Sequence, residues 1–254
     1  MKTLLKSSFI VCALVGTYSL PVQAEVVDKV ERSFTVDENS KFSLENINGA
    51  VVISSWQEPT IKVVGTIRAD NQKQRDQVRV KMQQKGQQVA VATHYEEKSS
   101  WGNNQSAQVE YTIWLPSDTN LDDISLVNGS LTINNVSGEV NAQVVNGSIK
   151  ATGLTTDSEL SSVNGSIKAT YQSFSQNIEE IELETVNGSI KLYLPSDINA
   201  KLDLETMHGS IKTDFGLSAQ ENTFTGHYLR GDIGTGDVDI AMESVNGSIK
   251  VLKN

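Results

Sequence analysis

One tetrapeptide limits what this chain can fold into more than any other feature. Val-Asn-Gly-Ser begins at Val127, Val145, Val163, Val186 and Val245. Met207-His208-Gly209-Ser210 fills a sixth place, and Ile47-Asn48-Gly49-Ala50 is an outlier near the N-terminus. From Asn128 the Asn (or His) positions follow at spacings of 18, 18, 23, 21 and 38 residues. The last gap reads as two periods, with Gly234–Ile240 as a degenerate copy between them. Repetition at such a period marks an array whose units stack, because one unit cannot bury its own apolar face.

The residues around each tetrapeptide define the unit. Ile181, Leu183 and Thr185 alternate with Glu182, Glu184 and Val186 before the corner. After it, Ile190, Leu192 and Leu194 alternate with Ser189, Lys191 and Tyr193. Period-two alternation predicts half-buried strands. Asn-Gly predicts a tight corner, through the positive φ that Gly adopts freely and Asn tolerates. The expected fold is therefore all-β, a repeat-built β-solenoid or β-helix-like array with a strand-rich N-terminal portion. Ile149 would stack over Leu131, Ile167 over Ile149, and the Asn side chains would form a ladder at the corner. The alternative is an antiparallel hairpin meander, in which Glu184 faces Lys191, Glu205 faces Lys212 and Glu243 faces Lys250. A buried aliphatic side chain contributes about 1.5–3 kcal/mol, and ordering one residue costs about 1–2 kcal/mol. Either arrangement therefore needs neighbouring units to stand.

The first 24 residues read as an export leader. Lys2 and Lys6 precede the apolar run Phe9–Val15, and Val22-Gln23-Ala24 reads as a cleavage site. Three segments follow: 1–24 leader, 25–115 N-terminal β-rich portion capping or beginning the array, and 116–254 Asn-Gly-Ser repeats. Within the second, Val78–Met82 and Val89–Val91 predict a hairpin, and Asp70–Gln77 at most a short helical turn. The expected location is the periplasm or the cell surface. The mature chain would lack cysteine, since Cys12 lies in the leader, and it contains no further apolar run long enough to span a membrane.

The formal charge is −10, from 21 basic and 31 acidic residues. Such a balance disfavours nucleic acid, whose phosphates call for a basic surface. The exported portion would be more acidic still. Yet Lys150, Lys168, Lys191, Lys212 and Lys250 hold equivalent places after the corner. They read either as a basic stripe for an anionic glycan or as a solvated face balanced by neighbouring Glu. Tyr193 faces outward and Trp101 lies in a polar loop, so both are candidates for stacking on sugars. Trp114 and Phe215 read as core.

No catalytic, cofactor or metal site is expected. His94, His208 and His227 are scattered without zinc-ligand spacing, and His208 stands where the corner Asn otherwise would. The repeated serines sit in no nucleophile elbow. Asp122-Asp123, Glu179-Glu180 and Asp232/Asp237/Asp239 are the acidic clusters a polysaccharide-cleaving enzyme could use.

The opening Phe34–Ile53 with Asn48-Gly49, the strand Tyr111–Pro116, the Val-Asn-Gly-Ser-Ile repeats and the closing Gly231–Val251 resemble the DUF4097 family of candidate adhesins, related to the head-GIN-domain adhesins. The resemblance implies an exported, β-helix-like protein and carries no catalytic residues. The leading functional expectation is a non-catalytic, adhesin-like protein of the envelope or surface that binds a polysaccharide or an envelope protein. The alternatives are a polysaccharide lyase or hydrolase, and a structural element that self-associates through open sheet edges.

Overall fold

A computed structural model describes residues 25–96, 107–221 and 226–254. The expected leader (1–24) and Trp101 lie outside the described residues. In chain order the N-terminal strands are β1 (Val26–Thr35), β2 (Lys41–Asn48), β3 (Val51–Trp56), β4 (Thr60–Ala69), β5 (Val78–Lys85), β6 (Gln88–Tyr95) and β7 (Gln108–Pro116). The repeats follow as β8 (Asn120–Asn128), β9 (Leu131–Asn134), β10 (Val140–Asn146), β11 (Ile149–Leu154), β12 (Ser158–Asn164), β13 (Ile167–Tyr171), β14 (Glu180–Asn187) and β15 (Ile190–Leu194). The chain closes with β16 (Ala200–His208), β17 (Ile211–Thr213), β18 (Gln220–Glu221), β19 (His227–Ile233), β20 (Val238–Asn246) and β21 (Ile249–Lys253). One helical turn, α1 (Gln72–Arg75), is capped by the Asn71 side chain, which accepts from the Gln74 amide.

Two sheets face each other across one apolar core. One runs β1-β4-β7-β3-β9-β11-β13-β15-β21-β17, and the other β18-β19-β16-β20-β14-β12-β10-β8-β2-β6-β5. Each tetrapeptide is a corner between them, and strands of successive rungs pair in parallel. The fold is the solenoid, not the meander. Ile149 lies opposite Leu131 and Ile167, as the repeat predicts. Alternation sends Ile181, Leu183, Ile190, Leu192 and Leu194 inward, all fully buried. Parallel strands need a crossover, and here the opposite sheet provides it.

The corner is built differently from the turn expected. The non-Gly residues at positive φ are Asn39 and Asn135 among the described residues, so the corner Asn residues are not left-handed. They are held by their side chains. Each amide donates to its neighbour's: Asn128 to Asn48, Asn146 to Asn128, Asn164 to Asn146, Asn187 to Asn164 and Asn246 to Asn187, at 2.9–3.0 Å. The glycine answers to a close approach. A Cβ on Gly188 would meet the Gly165 carbonyl oxygen at 2.0 Å, and one on Gly165 would meet that of Gly147 at 1.9 Å.

Rung order in space departs from rung order in sequence at both ends. The outlying Asn48-Gly49 corner is a full rung, with β2 beside β8 and β3 beside β9. The N-terminal portion therefore begins the array, and β6 and β7 continue the two sheets beyond it. Among the described residues the 38-residue gap holds no intermediate rung. Its residues form β19, antiparallel to β16, followed by the turn that enters β20. The β20–β21 rung then inserts between β14–β15 and β16–β17. β5 and β6 form the expected hairpin.

Candidate functional site

Two consequences follow from splitting each unit between two sheets. Glu184 and Lys191 are not cross-strand partners, nor are Glu205 and Lys212 or Glu243 and Lys250, because each pair straddles a corner. Equivalent residues of successive rungs instead stack in register. Like therefore stands beside like, and the outer faces of the two sheets acquire different chemistries.

On the first sheet Lys150, Lys168, Lys191, Lys250 and Lys212 form one row across five neighbouring strands. At about 4.8 Å per strand the row is roughly 19 Å long. None of the five ion-pairs with a carboxylate among the described residues, so the neighbouring Glu that would balance them stand elsewhere. A second row runs two residues further from the corner: Trp114, Ser54, Asn134, Thr152, Thr170, Tyr193 and Leu252. Tyr193 faces outward as expected, and the Lys168 ammonium lies 4.8 Å from its ring centre. Trp114 is no core residue. It is half-buried on this outer face, 6.2 Å from Trp56 ring to ring, with Lys62 5.9 Å above it. Residue type misplaces it: alternation with the inward Ile113 and Leu115 points it outward, against the preference of a large aromatic for the core. Phe215 is partly buried against the core.

On the second sheet the outer face is acidic and partly apolar. Glu184, Glu243 and Glu205 stand in one row, continued by Ser161 and Gln143. Glu159 and Glu182 pair beside it. Burial, reinforced by the Glu184 charge, raises the Glu182 carboxyl above its ordinary value. Nearer the corner runs an apolar row of Ile47, Val127, Val145, Val163, Val186, Val245 and Met207. The Glu and apolar rows together line a shallow concavity of 470 Å³.

Acids also line a 260 Å³ depression at the far edge of this face, among them Asp122, Asp157, Glu159, Glu180 and Glu182. Its lining includes no Lys or Arg. No three His, Asp or Glu side chains converge as a metal site among the described residues. His208 continues the ladder position beside Asn246. No helix among the described residues is long and apolar enough to cross a membrane.

The fold and its faces define a class: an all-β, two-sheet stacked array with strongly patterned outer surfaces. Residues 128–252 match the model of the family Toastrack DUF4097. A solved structure of a candidate cell adhesion protein from Clostridium sporogenes is similar over 89% of this chain and 100% of its own, with 16% identity and a TM-score of 0.52. A candidate adhesin from Bacteroides fragilis is 14% identical over 88% of this chain and 97% of its own, with a TM-score of 0.44. No curated protein matches the chain in sequence. At such identity the first structure supports the shared fold alone.

Proposed function

We propose that this is an exported, non-catalytic, adhesin-like repeat protein whose lysine-bearing sheet binds an anionic glycan at the cell envelope or surface. The observation that carries the reading is the row of five in-register lysines, with which no carboxylate pairs among the described residues. Neighbouring like charges repel across strands, and a bound polyanion relieves that repulsion. The parallel row supplies what a glycan needs besides charge. Trp114 and Tyr193 are faces for sugar rings, about 24 Å apart at five strand steps. Ser54, Asn134, Thr152 and Thr170 offer hydrogen-bonding groups between them. The acidic opposite face turns the molecule, so a polyanion meets the lysines first.

The test is calorimetric titration with a uronate-containing polysaccharide and its neutral counterpart, with reducing ends assayed in the same samples. Binding is expected for the anionic polymer alone, weakening with salt and lost in Lys168→Gln/Lys191→Gln/Lys250→Gln. Equal binding of the neutral polymer, or a variant that binds like wild type, would overturn the reading. Released reducing ends would move it to a polysaccharide-cleaving enzyme.

A further inference from the structure

The two outer faces of this protein match each other. The apolar row on the acidic sheet is exposed: Val127, Val145, Val163 and Val186 are 39–43% accessible and Met207 47%. Such a continuous stripe across strands is unusual on a solvated face. It lies two residues from the Glu row, and on the other sheet the Thr170–Tyr193–Leu252 row lies two residues from the lysine row. Both pairs of rows repeat at the same strand spacing of about 4.8 Å. The order is reversed: from the corner outward one face reads apolar then acidic, the other basic then Thr/Tyr/Leu.

We propose that a second copy of this chain docks its lysine sheet on the acidic sheet of the first, turned by half a turn about the normal to the sheets. Only that turn lays both rows on their complements. With Lys191 over Glu184, Lys168 falls over Glu243 and Lys150 over Glu205. In the same register Tyr193 falls over Val186 and Leu252 over Val163. Without the turn, lysines placed on the Glu row leave the apolar row facing the partner's corner. The lysine stems also cover apolar surface while their ammonium groups reach the carboxylates.

The contact joins unlike faces, so it does not close on itself and continues copy upon copy. Its size sets its strength. Five strands by about six residues is roughly 500 Å² a side, below the ~800 Å² per partner of stable complexes. A single contact is therefore weak, and many in parallel between two surfaces hold firmly. This goes beyond the glycan reading and uses the same lysines, so polyanion and second copy compete.

Sedimentation velocity of the protein purified from cells expressing the full chain tests the inference. The average sedimentation coefficient is expected to rise with protein concentration at low salt. It is expected to fall back to the monomer at high salt, where the screening length is about 3 Å. Lys168→Gln/Lys191→Gln and Glu184→Gln/Glu243→Gln each raise the concentration for half association at least about tenfold, by 1.4 kcal/mol per decade. All four side chains are on outer faces, and thermal melting verifies that the variants fold. Mixed, the two variants form a complex of two copies and nothing larger, because each retains one intact face. A monomer at every concentration, association untouched by either pair, or a mixture that stays monomeric would overturn the inference. The glycan reading is judged separately: Glu184→Gln/Glu243→Gln keeps polysaccharide binding whether or not the copies associate.

Discussion

At the residue scale the corner rests on two devices, only one of which the repeat reveals. The Asn ladder is readable once the units stack. Its reason is not, because a positive φ and an amide ladder both favour Asn, and only the backbone distinguishes them. Asn187 donates to Asn164 and accepts from Asn246. Asn187→Val removes both bonds, and at about 0.5–1.5 kcal/mol each the expected loss is about 1–3 kcal/mol, read as a lower urea midpoint. An unchanged midpoint would show that the ladder is decorative. The second device is a buried hydroxyl two residues before the corner Asn or His. Ser162, Thr185, Thr206 and Ser244 donate to the carbonyls of Gly147, Gly165, Gly247 and Gly188 of adjoining rungs. Sequence places these residues inward but cannot name the acceptor, which belongs to another rung. Glu182 supplies a pH effect. Its carboxyl is raised in the fold, so ionising it costs more there than in the unfolded chain. Stability therefore falls as pH rises past the ordinary carboxylate value, and protonation below it removes the penalty. Glu182→Gln is expected to raise the melting temperature at pH 7 and leave it unchanged at pH 4. The gain lies at the lower end of the 0.2–1 kcal/mol of a like-charged cross-strand pair, because solvent screens the group.

At the scale of the element each rung divides its work between its two faces. Ile190 is fully buried, and Ile190→Ala is expected to cost about 2–5 kcal/mol through the cavity it leaves. Its neighbour Lys191 points out into a row of like charge. Lys191→Gln is expected to leave the urea midpoint the same or slightly higher while weakening the anionic polysaccharide. A matching drop in stability would mean that the lysine row holds the fold together rather than a ligand. Inward and outward assignment was legible throughout the repeats because period two is a local property. Trp114 shows where residue type misleads: its strand position points it outward, against the preference of a large aromatic for the core. The pairing of Glu with Lys belongs to the hairpin alternative and falls with it. Whether a corner folds a strand back on its own sheet or passes it to the facing one is decided by the stacking of units, and the same tetrapeptide serves either geometry.

At the scale of the whole molecule stability passes from rung to rung, so the ends should open before the middle. Hydrogen exchange is expected to be slowest in β12, β14 and β20 and fastest in β18 and β17, which are short and terminal in their sheets. Uniform protection would point instead to a single cooperative block. Local patterning fixes the unit: two alternating strands, an Asn-Gly corner, an aliphatic interior and, after five of the seven corners, a lysine. Those are interactions between near neighbours, and composition and spacing record them. Which rungs touch is a matter of long-range packing. That packing sets β20–β21 between β14–β15 and β16–β17, makes a full rung of Asn48-Gly49, and sorts the lysines onto one sheet and the glutamates onto the other. The reason is that the rungs are nearly equivalent. Any can pair with any in register, so the order is settled by connections such as β19, which pairs with β16 from the far side and leaves its other edge for β20.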